Sequence, residues 1–450
     1  MIFLFSKKTL DILYVHNTED LFGDPFLNEM NACGVISILN TLKDNGFSIG
    51  GLSSYYSKYI KPRADIVKEI KEINVSLFYL VDIWSYNGLY KKVQTLKKLK
   101  QINPEVPIVV GGQLSSIFYK DVIDLPEVDY LIRGDGEESA LMLAKAFKDK
   151  SVDLNDIPGL VYKRNEEVIE NSNIYFFTQE EFNKKNYINF EIIKDYKKYF
   201  IKLVRETMMV FPVLIHKGCY RICERCNNYG KPKSTNMFIS RKHGQIFRNV
   251  DKIKDDIERI SDAGINGIII TTLGLPNDAY RQEFLQKIKY LDMKVVGQCE
   301  DPVPEDFEFI DKLYYNFRKD SMLLFEGLGA TEALLKKSGI RLNTEEMHKW
   351  LRELKWTKVV TLEVYSPSTT LEDIDSMIEL IEMYKKDLSV AFMPNVGAAR
   401  CYPDMNFSGY LQLSKDFNHD DFVPEGQKKV IAKFHDELSR RKLKHKIIKA

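Results

Sequence analysis

Short apolar runs alternate with amphipathic segments along the first 150 residues of the chain. The run VSLFYLVD, which begins at Val75, is almost continuously apolar, as expected for a parallel strand that is buried on both faces. The following LYKKVQTLKKLKQIN segment has helical periodicity and a basic outer face. PIVVGG, from Pro107, is another apolar run and ends in two glycines. Strand–helix units of this kind, which recur along residues 1–150, predict a doubly wound parallel sheet of the α/β class.

The carboxyl ends of these predicted strands are the expected binding edge, because ligands of doubly wound sheets bind outside those ends. The ends fall at His16 to Thr18, Asp82 to Tyr86, Gly111 to Ser116 and Gly134 to Glu138.

Residues 151–205 differ in character from the segment before them. GLVYKRNEEVIEN predicts a hairpin, since two β-rich runs flank a polar turn. The remainder is rich in Asn, Lys, Tyr and Phe and has weak periodicity. We expect a linker that packs on its neighbours.

Strand–helix alternation returns over residues 206–410. About six β/α units favour an open, partial (β/α)6 barrel, because a closed barrel would need about eight. The basic segment near the end of the chain predicts a helical tail. The predicted domains are therefore a doubly wound domain over 1–150, a hairpin and linker over 151–205, a partial barrel over 206–410 and a basic tail over 411–450.

Composition excludes several classes of protein. The 450 residues are 44% hydrophobic and 29% charged, which is typical of a globular chain. The net charge of +1 gives no bulk attraction to nucleic acid or to an anionic membrane. No apolar run approaches the roughly 18 residues that a membrane-spanning helix needs. We expect a cytoplasmic protein with no nucleic-acid or membrane partner.

Half of the six cysteines fall within one short segment, KGCYRICERC. Cys219, Cys223 and Cys226 have the spacing C-x3-C-x2-C. Thiolate is the ligand that iron–sulfur clusters require, so three thiolates on one loop can hold three irons of a [4Fe–4S] cube and leave one iron open. A structural zinc site is the competing interpretation, but it usually needs four ligands in two pairs.

This cysteine motif after the first strand of a predicted (β/α)6 barrel resembles the signature of the radical SAM superfamily. The resemblance implies that the open iron binds S-adenosylmethionine. Reductive cleavage then gives methionine and a 5′-deoxyadenosyl radical, which abstracts hydrogen from a substrate. An aromatic residue usually precedes the third cysteine, but this chain has Arg225, whose guanidinium can stack on a ring. By the same resemblance, Thr271, Thr272, Glu326 and Gly327 lie near the bound cofactor.

Further segments resemble the branch of that superfamily that carries an N-terminal cobalamin-binding domain. They are VPIVVGG, VDYLIRGDGEES, YSPSTTLEDIDSMIELI and ARCYPD. The likeness implies that Gly111, Gly112, Gly134 and Glu137 lie at a cobalamin site. The lower-ligand motif D-x-H-x-x-G is absent, and His16, the one histidine before residue 200, lies outside that pattern. A scaffold domain without cobalamin therefore remains an alternative.

The other cysteines have separate expectations. Cys33 lies on the apolar side of a predicted helix and is expected in the core. Cys299 ends a predicted strand and faces either a cavity or the core. Cys401 follows the last predicted strand, where its thiol could donate hydrogen to a substrate radical, as in the peptide epimerases of this superfamily.

The resulting hypothesis is cobalamin-dependent methyl transfer to an unactivated carbon. The alternatives are a peptide epimerase that uses Cys401, and a non-catalytic metal- or cobalamin-binding partner protein. The expected partners are a small-molecule or peptide substrate and an electron donor such as flavodoxin or ferredoxin.

Overall fold

A computed structural model gives the fold and describes fifteen ranges of the chain. They are residues 9–16, 25–54, 60–61, 65–83, 89–165, 167–206, 211–218, 245–270, 273–289, 291–300, 304–326, 344–363, 369–387, 390–395 and 425–441. The described residues up to Lys202 form one compact unit, and those from Leu203 onward form a second.

The first unit contains a sheet whose strands follow the order β2-β1-β3-β4-β5-β6-β7. The strands are β1 Thr9–His16, β2 Ile49–Ser53, β3 Asn74–Asp82, β4 Ile108–Gly111, β5 Tyr130–Ile132, β6 Leu160–Arg164 and β7 Glu167–Glu170. The first five strands pair in parallel, whereas β6 and β7 form the predicted antiparallel hairpin. The chain moves from β1 to β2 on one side and then to β3 on the other, so the topological switch point lies between β1 and β3.

Helices connect these strands and cover the sheet. They are α1 Pro25–Asp44, α2 Ile66–Lys71, α3 Leu89–Ile102, α4 Gln113–Ile117, α5 Tyr119–Ile123, α6 Gly136–Asp149, α7 Gln179–Lys184 and α8 Tyr196–Glu206. Ile12, Phe78 and Val109 on the central strands are fully buried, as the apolar runs of the sequence predict. Removal of this apolar surface from water is the main term that stabilises the unit.

The segment after the hairpin contains two helices, although its weak periodicity predicts a linker. Helix α7 begins at a capping box in which Thr178 and Glu181 satisfy each other's backbone N–H groups. The segment packs on the sheet, as expected: Ile193 bridges to Gly51, and Tyr175 bridges to Gly134. Tertiary contacts and local capping therefore outweigh the weak periodicity here.

The second unit contains a six-stranded parallel sheet with the order β15-β14-β13-β12-β11-β8. Its strands, together with a short ribbon of β9 and β10, are β8 Phe211–Val213, β9 His216–Lys217, β10 Ile246–Phe247, β11 Gly267–Ile270, β12 Lys294–Glu300, β13 Met322–Glu326, β14 Thr357–Glu363 and β15 Val390–Asn395. Sequential order with helical crossovers is the connectivity of a (β/α)6 arrangement.

The helices of the second unit show the expected amphipathic faces. They are α9 Val250–Asp262, α10 Asp278–Lys287, α11 Pro304–Leu313, α12 Thr344–Glu353, α13 Leu371–Asp387 and α14 Glu425–Arg440. Ile253, Ile257 and Ile260 of α9 form one buried stripe. Within the described ranges, every helix is too short or too polar to cross a bilayer.

Candidate functional site

The candidate site is the edge of the first sheet where the carboxyl ends of β1, β3 and β4 meet. His16 is the last residue of β1, Asp82 the last of β3 and Gly111 the last of β4. Asp82 pairs with Gly111 in the β3–β4 ladder, and His16 pairs with Ser53 in the β1–β2 ladder. The edge therefore includes the switch point between β1 and β3, where doubly wound sheets bind ligands.

Four side chains form a buried polar cluster at the switch point, which we call the Asp82 cluster: Tyr14, His16, Asp82 and Lys92. The carboxylate atom Oδ1 of Asp82 accepts from Tyr14 Oη at 2.8 Å and lies 2.7 Å from His16 Nδ1. The ammonium of Lys92 donates to Oδ2 at 3.0 Å and to the backbone oxygen of Asp82 at 2.6 Å. His16, Asp82 and Lys92 are 7%, 8% and 3% exposed, so water contributes little to their solvation.

Two basic neighbours, His16 and Lys92, determine the ionisation of Asp82. Burial of the carboxyl group alone would raise the pKa of Asp82, but the adjacent His16 and Lys92 outweigh burial and hold that pKa far below its ordinary value. Asp82 is therefore ionised at neutral pH.

The β4 end lies next to this cluster and contains two of the predicted cofactor-binding glycines. Gly111 faces open space among the described residues, since none of their atoms lies within 4 Å of the position that a Cβ would occupy. Gly112 has φ +108°, and a Cβ there would lie 2.8 Å from the backbone oxygen of Ile83. The chain's own packing therefore explains the glycine at 112, whereas the glycine at 111 leaves backbone open to a ligand.

The β5 end contains the other two predicted residues, Gly134 and Glu137. Gly134 has φ +87°, and its Cβ would lie 2.5 Å from the backbone oxygen of Tyr175. Residues 174–177 thus approach this end closely, and Asp135 also accepts from the backbone of Phe177 at 2.8 Å. Glu137 lies in the first turn of α6 and is buried. The close approach of Tyr175 therefore requires glycine at position 134. A role for Gly134 or Glu137 in binding a ligand stays a prediction.

Sequence reasoning placed His16 and Asp82 at the edge but missed Tyr14 and Lys92. Helical spacing indicates the buried position of Lys92. Lys92, Leu96 and Leu99 lie on one face of the helix, and both leucines are fully buried. Lys97 and Lys98 form the exposed basic face that the sequence predicts. A lysine on the apolar face of a helix is thus the signal for a buried charge.

The second unit positions the start of the cysteine loop. His216 and Lys217 of β9 pair with Ile246 and Phe247 of β10, so this ribbon brings together the two ends of the segment that carries the three cysteines. The Nδ1 atom of His216 is buried and has no hydrogen-bond partner within the described ranges. Burial lowers the pKa of His216 to about 4, so the ring is neutral at physiological pH.

Most predicted residues of the second unit lie outside the described residues: Cys219, Cys223, Arg225, Cys226, Thr271, Thr272, Gly327 and Cys401. Glu326 is the last residue of β13, and it pairs in register with Glu300 of β12. Among the residues that the structure describes, no group of three or more His, Cys, Asp or Glu side chains is arranged to hold a metal ion.

The two described cysteines, Cys33 and Cys299, are both buried. Cys33 on α1 is 3% exposed, which confirms the expected core position. Cys299 on β12 is 1% exposed, which agrees with core packing, the second of its two predicted environments.

Comparison with protein families identifies the first unit. Residues 22–158 match the family described as B12 binding domain. An anaerobic magnesium-protoporphyrin IX monomethyl ester cyclase of Synechocystis sp. is 25% identical over 167 residues, which are 34% of this chain and 32% of the cyclase. A cyclase of the same name from Rubrivivax gelatinosus is 32% identical over 78 residues, 17% of this chain and 14% of that protein. The matches thus span a third or less of these relatives.

Solved structures extend the likeness to both units. The radical S-adenosylmethionine methyltransferase TsrM from Kitasatospora setae, solved with cobalamin and a [4Fe–4S] cluster, has a TM-score of 0.63 and 15% identity over 86% of this chain and 72% of TsrM. The cobalamin-dependent S-adenosylmethionine radical enzyme OxsB, solved with aqua-cobalamin and S-adenosylmethionine, has a TM-score of 0.61 and 14% identity over 95% of this chain and 56% of OxsB. Residues 22–158 therefore belong to the B12 binding domain family, and the chain shares the fold of cobalamin-dependent radical SAM enzymes.

Proposed function

We propose that this chain is a cobalamin-dependent radical SAM enzyme that transfers a methyl group to an unactivated carbon. The observation that carries the proposal is the combination of a B12 binding domain match with a sequential parallel sheet whose first strand, β8, precedes the C-x3-C-x2-C segment. When bound, the cluster supplies the electron that cleaves S-adenosylmethionine to methionine and a 5′-deoxyadenosyl radical, and cobalamin supplies the methyl group.

Two features at the edge of the first sheet support a cofactor site there. Gly111 leaves open space at the end of β4, and the switch point beside it is the place where such sheets bind ligands. The Oγ atom of Ser53, at the end of β2, is buried and lacks a hydrogen-bond partner within the described part of the chain. A buried hydroxyl without a partner carries an energetic cost that a bound polar group would relieve.

The donor set of the second unit fits the cluster and its cofactor. Cys219, Cys223 and Cys226 are the proposed cluster ligands, because three thiolates leave one coordination position open. Arg225, Thr271, Thr272, Glu326 and Gly327 are the proposed contacts of S-adenosylmethionine. These assignments come from the motif and its resemblance, and each is testable by substitution.

The substrate and the electron donor are also proposals. TsrM is a methyltransferase and has been solved with a tryptophan substrate, whereas the curated relatives are cyclases of a porphyrin ester. Since this chain resembles proteins of both kinds, the resemblance does not select the reaction. We propose a small-molecule or peptide substrate and a flavodoxin or ferredoxin as the electron donor.

The decisive experiment combines cofactor analysis with product analysis. The full chain is reconstituted anaerobically with iron and sulfide, incubated with hydroxocobalamin and desalted. We expect about four irons and four sulfides per chain, as the cluster formula requires, and a retained corrinoid. Reduction with S-adenosylmethionine should then give 5′-deoxyadenosine, and with a substrate S-adenosylhomocysteine and a product heavier by one methylene.

Other outcomes select other functions. Zinc without sulfide would favour the non-catalytic partner protein. A cluster and 5′-deoxyadenosine without retained cobalamin would contradict methyl transfer from cobalamin. Deuterium uptake from solvent, lost in Cys401→Ala, would then support the epimerase.

A further inference from the structure

The segment that carries the three proposed cluster ligands begins and ends at one short ribbon of the second unit. Strands β9 and β10 pair antiparallel, and beyond them the backbone N–H of Arg248 donates to the backbone oxygen of Ile215 at 2.7 Å. We call residues 215–218 and 246–248 the loop base. Because residues 219–245 lie between its two halves, the loop base fixes where the chain enters and leaves the cysteine segment.

A left-handed glycine sets the direction in which the chain leaves the first half of the loop base. Gly218 has φ +87°, a conformation that glycine adopts without the steric cost that a side chain would add. The next residue is Cys219, the first proposed cluster ligand. The backbone of the loop base thus determines the direction in which the chain continues toward that cysteine.

A buried ion pair connects the second half of the loop base to α9. The Nε atom of Arg248 donates to Asp256 Oδ2 at 2.9 Å. Arg248 is 2% exposed and Asp256 is 3% exposed. A guanidinium that is removed from water in this way depends on its partner, because an unpaired buried charge is strongly unfavourable. The side chain of Arg248 therefore holds β10 against the helix.

Tyr280 of α10 makes a second connection to the same half of the loop base. Its hydroxyl donates to the backbone oxygen of Arg248, and its ring packs edge-on against Phe247, with 5.9 Å between the ring centroids. Phe247 in turn stacks on His216 of β9, with the centroids 5.8 Å apart. The contacts of one tyrosine thus extend across both strands of the loop base.

The loop base also contains a polar atom that its own residues leave unsatisfied. The Nδ1 atom of His216 is buried and has no hydrogen-bond partner within the described ranges. Buried polar atoms of folded proteins are nearly always paired. A partner from the adjoining cysteine segment, or from the group that this segment binds, would satisfy the atom. The loop base therefore fits a bound group beside it.

We propose that Arg248 and Tyr280 are positioning residues for the iron–sulfur cluster, because they keep the two ends of the cysteine segment together before the cluster is assembled. This inference rests on the proposed function, since it requires that the cysteine triad binds a cluster. Coupling between two sites is reciprocal. Closure of the loop base therefore raises the affinity for the cluster, and the bound cluster stabilises the closed loop base to the same extent.

The first test is amide hydrogen–deuterium exchange, measured by mass spectrometry on the full chain with and without an anaerobically reconstituted cluster. The informative peptides cover residues 211–218 and 245–250. We expect cluster assembly to slow exchange in both peptides. In the cluster-free protein, Tyr280→Phe keeps the ring but removes the hydroxyl, and it should accelerate exchange there about fivefold, the factor that corresponds to one buried hydrogen bond.

The second test is the rate at which the reconstituted cluster is lost to an excess of an iron chelator, followed by visible absorbance. Tyr280→Phe should lose the cluster about fivefold faster than wild type. Arg248→Lys keeps a positive charge but lacks the guanidinium, and it should accelerate the loss as well. The matched control is Ile378→Val, which weakens the buried core on α13 of the same unit and should lose the cluster at the wild-type rate.

Each other outcome is distinguishable. Equal rates of cluster loss in wild type and Tyr280→Phe, or exchange at the loop base that is unchanged by cluster assembly, would overturn the inference and leave the proposed function standing. An acceleration by Ile378→Val as large as that by Tyr280→Phe would reduce the effect to general destabilisation and overturn the inference equally. Wild-type protein that assembles no cluster would overturn the proposed function and the inference together.

Discussion

The ammonium of Lys92 donates to both the backbone oxygen and the carboxylate of Asp82, at 2.6 and 3.0 Å. One lysine on α3 thus satisfies two acceptors at the end of β3 and neutralises the carboxylate's charge. The contact connects the helix to the strand end where the proposed cofactor binds.

Loss of the Lys92 charge should destabilise the first unit. Lys92→Met removes one of the two basic partners of the buried, ionised Asp82, and breaking a buried pair in this way costs about 3–5 kcal/mol. Chemical denaturation of the cofactor-free protein, followed by circular dichroism, measures the change. Lys97→Met on the exposed face of the same helix is the matched control and should change stability by less than about 0.5 kcal/mol. Equal losses of stability in Lys92→Met and Lys97→Met would contradict a stabilising ion pair between Lys92 and Asp82.

Acid should remove the stabilisation that Asp82 provides. The pKa of Asp82 is lowered in the folded state, so its contribution is fully present above the unfolded value of about 3.9 and declines as pH falls below it. The slope for one such group is about 1.4 kcal/mol per pH unit. We therefore expect the difference in free energy of unfolding between wild type and Asp82→Asn to begin to shrink as pH falls below about 4 and to continue shrinking at still lower pH. Asp124→Asn changes an exposed carboxylate and is the control. Its free energy of unfolding should differ from that of wild type by a constant amount throughout that range.

The two glycines at the β4 end should respond differently to substitution by alanine. Gly112→Ala places a Cβ 2.8 Å from Ile83 O at φ +108° and should cost about 1–3 kcal/mol of stability. Gly111→Ala meets open space, so the fold should tolerate it, but the methyl group should weaken cobalamin binding about tenfold or more, which is about 1.4 kcal/mol. Thermal unfolding and equilibrium cobalamin titration separate the two effects. Unchanged cobalamin affinity in Gly111→Ala would exclude close approach of the cofactor to this residue.

Each cysteine of the triad should be essential for the cluster. Cys219→Ala, Cys223→Ala and Cys226→Ala should each lower the iron and sulfide content and abolish the formation of 5′-deoxyadenosine. Cobalamin retention should be unaffected, since the B12 binding domain match lies within residues 22–158. Cys33→Ala, in the core of the first unit, is the control and should keep the cluster. Full iron and sulfide content in any triad variant would remove that cysteine from the ligand set.

The strand positions and the edge where the strands end were predictable from local patterns, whereas the contacts of the Asp82 cluster were not. The apolar run that ends at Asp82 predicts a buried strand, and Asp82 is indeed the last residue of β3. Nothing local pairs Asp82 with Lys92, ten residues along the chain, or with Tyr14 and His16, which lie on β1. Those contacts depend on strand order, because only the placement of β1 beside β3 brings the two strand ends together.

The same distinction applies to the glycines. Their sequence pattern suggests backbone close to a ligand, but the structure separates Gly111, which faces open space, from Gly134, which Tyr175 of the chain itself approaches. The approach of residues 174–177 comes from a segment of weak periodicity, so no local signal predicts it.

The sequence by itself determined the strand–helix alternation of the two sheets, the hairpin and the three-cysteine motif, because periodicity and ligand spacing are local properties of the chain. The tertiary structure decided which strand ends meet, which lysine is buried and which side chains contact the carboxylate of Asp82. These properties depend on contacts between residues that are up to 68 positions apart, and only the folded chain brings such residues within hydrogen-bonding distance.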